Sequence, residues 1–424
     1  MQYFAEGSPT TVVSETRAAE LLGRTLDELG PLRRVLILPP DLTRLHSWAG
    51  EITVMLYEQL KASAHVEILP TLGTHEPMTT DELGAMFPGI PLELFHPHDW
   101  RGDLVRLGEV PGEFIHEISE GKLDYSIACE VNKLIVEGEW DRIISVGQLV
   151  PHEVSGIANY NKNVFIGAGG ADAINKTHFL GAVYGMERMM GRADTPVRKV
   201  LDYMTAHFAG ELPLSYVLTV RARDTAGKLV TRGLYAGDDE ACFLQGAELC
   251  RQVNVNLLDE PIEKAVVYLD PTEFKSTWLG NKAIYRTRMA MADGGELVIL
   301  APGVRRFGED AEVDRLIRAY GYRGTPATLR AVEQRADLAA NLSAAAHLIH
   351  GSSEGRFTIT YCPGQLTRNE IEGVGFRYAD LDEMMGTYDP AKLADGTNTL
   401  PTGERVFYIS NPGLGLWALR SGFE

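Results

Sequence analysis

Short apolar runs that break off into polar tips alternate along this chain with stretches whose apolar residues recur at helical spacing. RRVLILPPDLTR at 33–44 reads as a buried strand that stops at Pro39-Pro40 and ends on a polar tip. HVEILPTLGTH at 65–75 repeats the arrangement. Residues 48–62 have helical periodicity, and 79–87 reads as a short helix behind a Thr79 cap, with Glu82 near the capping-box position. Two further apolar runs, LIVEG at 134–138 and IISVG at 143–147, precede a Gly- and Asn-rich stretch from Val150 to Phe179. That stretch reads as a loop or helix start leaving a sheet edge. Residues 181–208 are expected to be helical with glycine interruptions. A β-hairpin is expected over 216–237, and a helix capped by Asp238 over 238–254.

NVNLLDEPIEK at 253–263 reads as a linker, which divides the chain into an N-terminal domain over 1–262 and a C-terminal domain over 263–424. The second opens with the strand AVVYLD at 265–270. It continues with a helix over 279–292, a strand over 296–302, helices across 309–349, and strands at 356–362 and 405–410. The alternation predicts an α/β fold: two α/β domains with mixed or parallel sheets and an active-site cleft between them. Ligands of such sheets bind beyond the carboxyl ends of the strands. Asp41, Arg44, His75 and His152 all fall just after expected strands, which is a reason to expect them in one cleft.

Composition narrows the function. An apolar fraction of 45% is ample for packed cores, and a net charge of −18 argues against broad nucleic-acid binding while leaving room for a local basic pocket. The four cysteines lack C-x-x-C spacing and are expected to be buried free thiols in a reducing compartment. The first ten residues have no secretory character, and no apolar run approaches the roughly 18 residues of a membrane span, so a soluble cytoplasmic protein is expected.

The candidate chemistry is histidine-rich. His75 and His152 offer two imidazoles at one sheet edge; a pair on opposite sides of a substrate carbon is what a racemase or epimerase requires. Each could equally be a satisfied loop residue. Asp41-x-x-Arg44 is either a surface ion pair or a guanidinium that grips a carboxylate. Lys162 follows His152 by ten residues, and His178 follows Lys162 by sixteen. His96-Pro97-His98-Asp99 has the look of a metal site but is also a common rigid turn. The remaining histidines are read as structural. The run at 163–174 mimics a dinucleotide fingerprint and fails it at Asp172. Trp278 and Lys282, at i and i+4, are expected on one helix face turned toward the cleft.

In this order the pieces resemble the nickel-dependent lactate racemase family. The family's D-x-T-R tip is matched by Asp41-Leu42-Thr43-Arg44. Its G-T-H with a following Pro-Met-Thr is matched by Gly73 to His75 and Pro77-Met78-Thr79. Its P-H leading through a glycine to a cofactor lysine and a metal-binding histidine is matched by Pro151-His152, Gly156, Lys162 and His178. The resemblance spans most of the chain and is strongest before residue 255. It implies a nickel-pincer nucleotide joined to Lys162, nickel held by His178, and Asp41, Thr43, Gly167 and Gly169 around the cofactor. It implies His75 and His152 as the catalytic pair, with Arg44, Trp278 and Lys282 on the substrate. The reaction implied is inversion at C2 of a small-molecule 2-hydroxy acid by hydride removal and return, with cofactor-synthesis enzymes acting in trans.

Three departures stand out: Ala158-Asn159-Tyr160 replaces the usual S-G-G, Ile166 replaces a proline, and Leu279 replaces a glutamine. They suggest a changed pocket and a larger substrate, such as an aldonic sugar acid. A non-catalytic 2-hydroxyacid-binding homologue and a metal hydrolase built on His96 and His98 are the alternatives.

Overall fold

The computed structural model describes residues 1–423. The chain forms two compact units, one of residues 1–180 with 188–254, the other of 181–187 with 255–424.

The first unit is built on a mixed sheet of six strands in the order Gln2–Gly7, Leu229–Gly237, Leu214–Arg223, Arg142–Gln148, Arg34–Leu38, His65–Ile68. The first two junctions are antiparallel and the other three parallel. Alternate strand residues Val35, Ile37, Ile144 and Val146 pack with Leu21, Leu22, Ile52 and Leu56 of the helices Glu15–Leu29 and Ala49–Leu60. Leu36, Leu38 and Ile143, which point the other way, are fully buried as well. Strands covered on both faces read as continuous apolar runs, which is why VLIL and IISV show no alternation. Burying each such side chain contributes roughly 1.5–3 kcal/mol.

Thr79 caps the helix Thr80–Met86 and forms the capping box with Glu82. The hairpin of the sequence reading is present as Leu214–Arg223 and Leu229–Gly237. Two parts of the first unit differ from that reading. The helix after the hairpin spans Glu240–Asn254; Asp239 accepts from the Ala241 amide at 3.2 Å, while Asp238 is engaged with Tyr3 at 2.8 Å. Residues Leu104–Val110 and Ile127–Asn132 form an antiparallel pair that no tight-turn signal announced.

The second unit holds another six-stranded sheet, in the order Arg377–Tyr378, Thr358–Pro363, Met291–Ala301, Ile262–Tyr268, Arg405–Ile409, Gly396–Thr399. Its junctions are parallel except the last. The helix expected over 279–292 is instead two short turns, Thr277–Gly280 and Lys282–Tyr285, with the long strand beginning at Met291. Buried polar side chains Thr277, Asn281, Arg286, Thr287 and Arg288 crowd this segment. Thr277 donates to the Phe307 carbonyl, Arg286 to that of Gly415 and Arg288 to that of Ile349, bonds to other parts of the unit that a regular helix would not form.

All four cysteines are buried, and none is in a disulfide. Burial pushes the thiols of Cys129, Cys242 and Cys362 up to about 12. No helix among the described residues is long and apolar enough to cross a membrane.

Candidate active site

Three adjacent parallel strands deliver the candidate residues from their carboxyl ends. Arg34–Leu38 leads to Asp41 and Arg44, His65–Ile68 to His75, and Arg142–Gln148 to His152. The residue that ties these strands together is Asn163. Its Nδ2 donates to the Leu38 carbonyl at 2.9 Å and to Ser145 Oγ at 3.0 Å, and its Oδ1 accepts from Thr71 Oγ1 at 2.7 Å. One side chain, next to Lys162, thus bonds to the end of Arg34–Leu38, to the middle of Arg142–Gln148 and to the segment just past His65–Ile68. The Gly73 amide adds a bond to the Gly167 carbonyl at 2.8 Å. Gly73 has φ +58°, a left-handed turn that suits glycine and swings His75 back over the sheet end.

His75 and Asp41 form a close pair, Nδ1 to Oδ2 at 2.6 Å, with Asp41 almost fully buried. Thr43 donates its hydroxyl to the other oxygen of Asp41 at 2.5 Å. Burial works to raise the Asp41 carboxyl, but the His75 imidazole, the two hydrogen bonds and the Arg44 guanidinium outweigh it and hold the acid below its ordinary range. Asp41 is therefore ionised and accepts the Nδ1 proton of His75, which leaves Nε2 as the ring nitrogen turned away from the carboxylate. Both oxygens of Asp41 are engaged within the protein. Its visible task is to orient His75, which the sequence reading had not assigned to it.

His152 carries the opposite tautomer. Its Nδ1 accepts from the Val154 amide at 3.0 Å, so the ring proton sits on Nε2. Burial, and then the positive charges of Lys162 and Arg44, push its pKa well below the ordinary value, against the pull of Glu153. Glu153 Oε2 lies 3.7 Å from His152 Nδ1, and this carboxylate was missed in the sequence. Lys162 is half-buried. Burial and the Arg44 charge bring its amine down to about 8, with Glu153 opposing. His178, on the helix Ala171–Tyr184, donates Nδ1 to the Ile174 carbonyl at 2.6 Å. Burial, and then the Lys162 charge, bring it down to about 4. His178 is thus neutral, with Nε2 free to act as a ligand.

These mutual effects place Arg44, His152, Lys162 and His178 in one electrostatic neighbourhood, to which Asp41 and His75 are joined through Arg44. Gly169 is held from the other side: its carbonyl accepts from His98 Nε2 at 3.0 Å, and His98 Nδ1 meets Asn132 Nδ2 at 3.1 Å. Both ring nitrogens of His98 are spent inside the protein. His96 pairs with Glu67 at 2.9 Å instead. Gly167 packs on Thr71, where an added Cβ would lie 2.8 Å from the threonine Cβ.

The Ala158-Asn159-Tyr160 departure keeps a glycine-like backbone. Asn159 and Tyr160 have φ of +65° and +61°. Left-handed geometry costs an ordinary residue roughly 1–2 kcal/mol, less for asparagine. The Tyr160 ring is 4% exposed and packs among Tyr216 and Phe243, so it belongs to the core of the unit.

Trp278 and Lys282 lie in the second unit, on the two successive short turns with Asn281 between them. Trp278 stacks on His347 with ring centroids 4.3 Å apart, and Lys282 Nζ lies 5.5 Å from the Phe274 ring centre.

A mixed-sheet α/β unit with paired histidines and a lysine at its strand ends matches known proteins in two ways. Residues 21–190 match the family model described as the lactate racemase N-terminal domain. The fold is similar to that of a protein from Thermotoga maritima, at 23% identity and a TM-score of 0.82, covering 98% of this chain and 100% of that one. It is also similar to the lactate racemase apoprotein from Thermoanaerobacterium thermosaccharolyticum, at 17% identity and a TM-score of 0.71, covering 96% and 93%. No curated protein matches the sequence. Over residues 21–190 the chain is thus similar to the lactate racemase N-terminal domain, and its fold is similar to those two structures.

Proposed function

We propose that this protein is a racemase or epimerase that inverts C2 of a 2-hydroxy acid, with a nickel-pincer nucleotide joined to Lys162 and its nickel facing His178. The family match and the fold support a racemase-type function. The observation that carries the finer reading is the pair of opposite tautomers: Asp41 leaves His75 Nε2 as a base, and the Val154 amide leaves His152 Nε2 as a donor.

The residues present suit the cofactor. An amine brought down to about 8 is roughly one-tenth neutral at pH 7, ready to form a covalent link. His178 offers a neutral nitrogen whose ring is fixed by the Ile174 carbonyl. Among the described residues no three His, Cys, Asp or Glu side chains gather as a metal site, which suits a metal that arrives with its own sulfur and carbon donors. When bound, the group supplies an electron-poor ring able to accept and return hydride.

The chain's own residues do the rest. Arg44 holds the substrate carboxylate in a two-point grip. His75 Nε2 takes the hydroxyl proton of one enantiomer, and Asp41 stabilises the imidazolium that results. His152 Nε2–H donates a hydrogen bond to the substrate oxygen from the opposite face; to take the hydroxyl proton of the other enantiomer on Nε2, the ring carries its own proton on Nδ1, toward Glu153, instead. Trp278 and Lys282 are proposed as substrate-binding residues of the second unit. A 2-hydroxy acid larger than lactate, such as an aldonic acid, remains part of the proposal.

The test is production of the chain beside the cofactor-synthesis enzymes, followed by nickel analysis, intact mass and a panel of 2-hydroxy acids assayed for C2 inversion. Nickel, a mass adduct on Lys162 and inversion of one panel member are expected. Full activity with neither nickel nor adduct sinks the reading.

A further inference from the structure

The turn that precedes Lys162 is held from outside by a buried arginine. Arg198, on the helix Pro196–Phe208, is 2% exposed. Its Nη2 donates to the Ile157 carbonyl at 2.8 Å and to the Asn159 carbonyl at 3.3 Å. Its Nη1 donates to the Asn159 carbonyl at 3.4 Å and to Asn161 Oδ1. The acceptors are amide oxygens on alternate residues, spanning the left-handed pair Asn159-Tyr160. The guanidinium also lies 4.3 Å from the Phe243 ring centre and 5.8 Å from that of Tyr160, and the two rings stack 5.1 Å apart. Asn161 closes the loop by donating to Asp202 Oδ1 at 2.7 Å and Thr205 Oγ1 at 3.1 Å, on the helix that carries the arginine.

A guanidinium bonded only to amides is an expensive thing to bury, since no carboxylate repays its desolvation directly. Burial brings Arg198 down to about 10. Glycines at 159 and 160 would take positive φ without help. This chain has side chains there, so the geometry must be imposed, and strain of this kind persists only where its surroundings over-determine it.

We infer that Arg198 is a positioning residue for Lys162, clamping the amide oxygens of Ile157, Asn159 and Asn161 so that the lysine leaves a fixed left-handed turn. The inference rests on the reading of Lys162 as the cofactor tether. A planar fork reaches three oxygens in fixed directions; an ammonium is a single point and does not.

The experiment uses the full chain as Arg198→Met and Arg198→Lys. In cofactor-free protein, amide exchange at Tyr160–Asn163 is expected to rise at least tenfold in both variants, and less than twofold in the strands Arg34–Leu38 and Arg142–Gln148. Produced beside the cofactor-synthesis enzymes, both variants are expected to carry the Lys162 adduct on at least fivefold fewer folded molecules than the parent. Should Arg198→Met fail to fold, Arg198→Lys carries both readouts. Exchange that rises evenly through the first unit, or does not rise at the turn, overturns the clamp. Parental adduct levels in Arg198→Lys overturn it too, since charge alone would then suffice. A parent chain without adduct overturns the cofactor reading, and the exchange data still decide the clamp.

Discussion

Lys162→Met should make the cofactor-free protein more stable at neutral pH. The amine stands among cations and is brought from its ordinary 10.5 down to about 8, by burial first and then by Arg44. The folded state therefore holds that proton more weakly than the unfolded chain does. At about 1.4 kcal/mol per pH unit, the charged lysine costs the fold about 3 kcal/mol at pH 7. The penalty is full below pH 8, shrinks as pH rises toward 10.5, and is gone above it, where both states hold a neutral amine. Methionine keeps the aliphatic length and removes the charge. Its gain should be about 3 kcal/mol at pH 7, or roughly 6–12 °C in Tm, and should fade to nothing by pH 10.5. Urea unfolding of parent and variant at pH 7, 8.5 and 10.5 reads this directly. A variant no more stable than the parent at pH 7, or a gain that does not change with pH, refutes the reasoning that a cationic, half-buried site depresses this lysine.

The other expectations concern single contacts. Asp41→Asn should lower turnover roughly 10²–10⁴-fold, because the amide can donate to His75 Nδ1 and drive the proton to Nε2; initial rates, with ¹⁵N shifts of the His75 ring, test both halves of that statement. Arg44→Met should raise KM for the hydroxy acid at least tenfold, as expected for loss of a charge-assisted grip of roughly 1.5–3 kcal/mol, and steady-state kinetics would show it. His98→Ala should cost roughly 2–4 kcal/mol by denaturant unfolding, since the Gly169 carbonyl and Asn132 lose their shared partner and a cavity remains. Loss of nickel from His98→Ala with stability intact would instead revive a metal role for that histidine.

Much of the site was legible because its backbone logic is local. Asp41, Arg44, His75 and His152 sit just past apolar runs, and parallel strands put such positions at one edge. The bonds that align that edge were not legible. Asn163 reaches Leu38, Ser145 and Thr71, residues far apart in the chain, and nothing in the letters N-V-F-I-G marks an asparagine as a three-way tie. Arg198 was hidden for the same reason: its partners are set by tertiary approach. The helix misplaced over 279–292 shows the reverse failure. Its periodicity is real, but buried Thr277 and Arg286 form bonds to other parts of the unit that a regular helix would not form. The Ala158-Asn159-Tyr160 departure suggested a reshaped pocket; the structure instead puts the tyrosine ring in the core, where backbone conformation is kept and glycine is not.

The four sequestered sulfurs furnish a clock. With each thiol buried and three of them pushed up to about 12, a maleimide added to the native protein finds almost no thiolate to attack. Alkylation must wait for a breathing event, and its pace then counts such events. Cys362 belongs to the second unit and the other three to the first, so peptide mapping of a timed quench would give each unit its own opening rate without any engineered label.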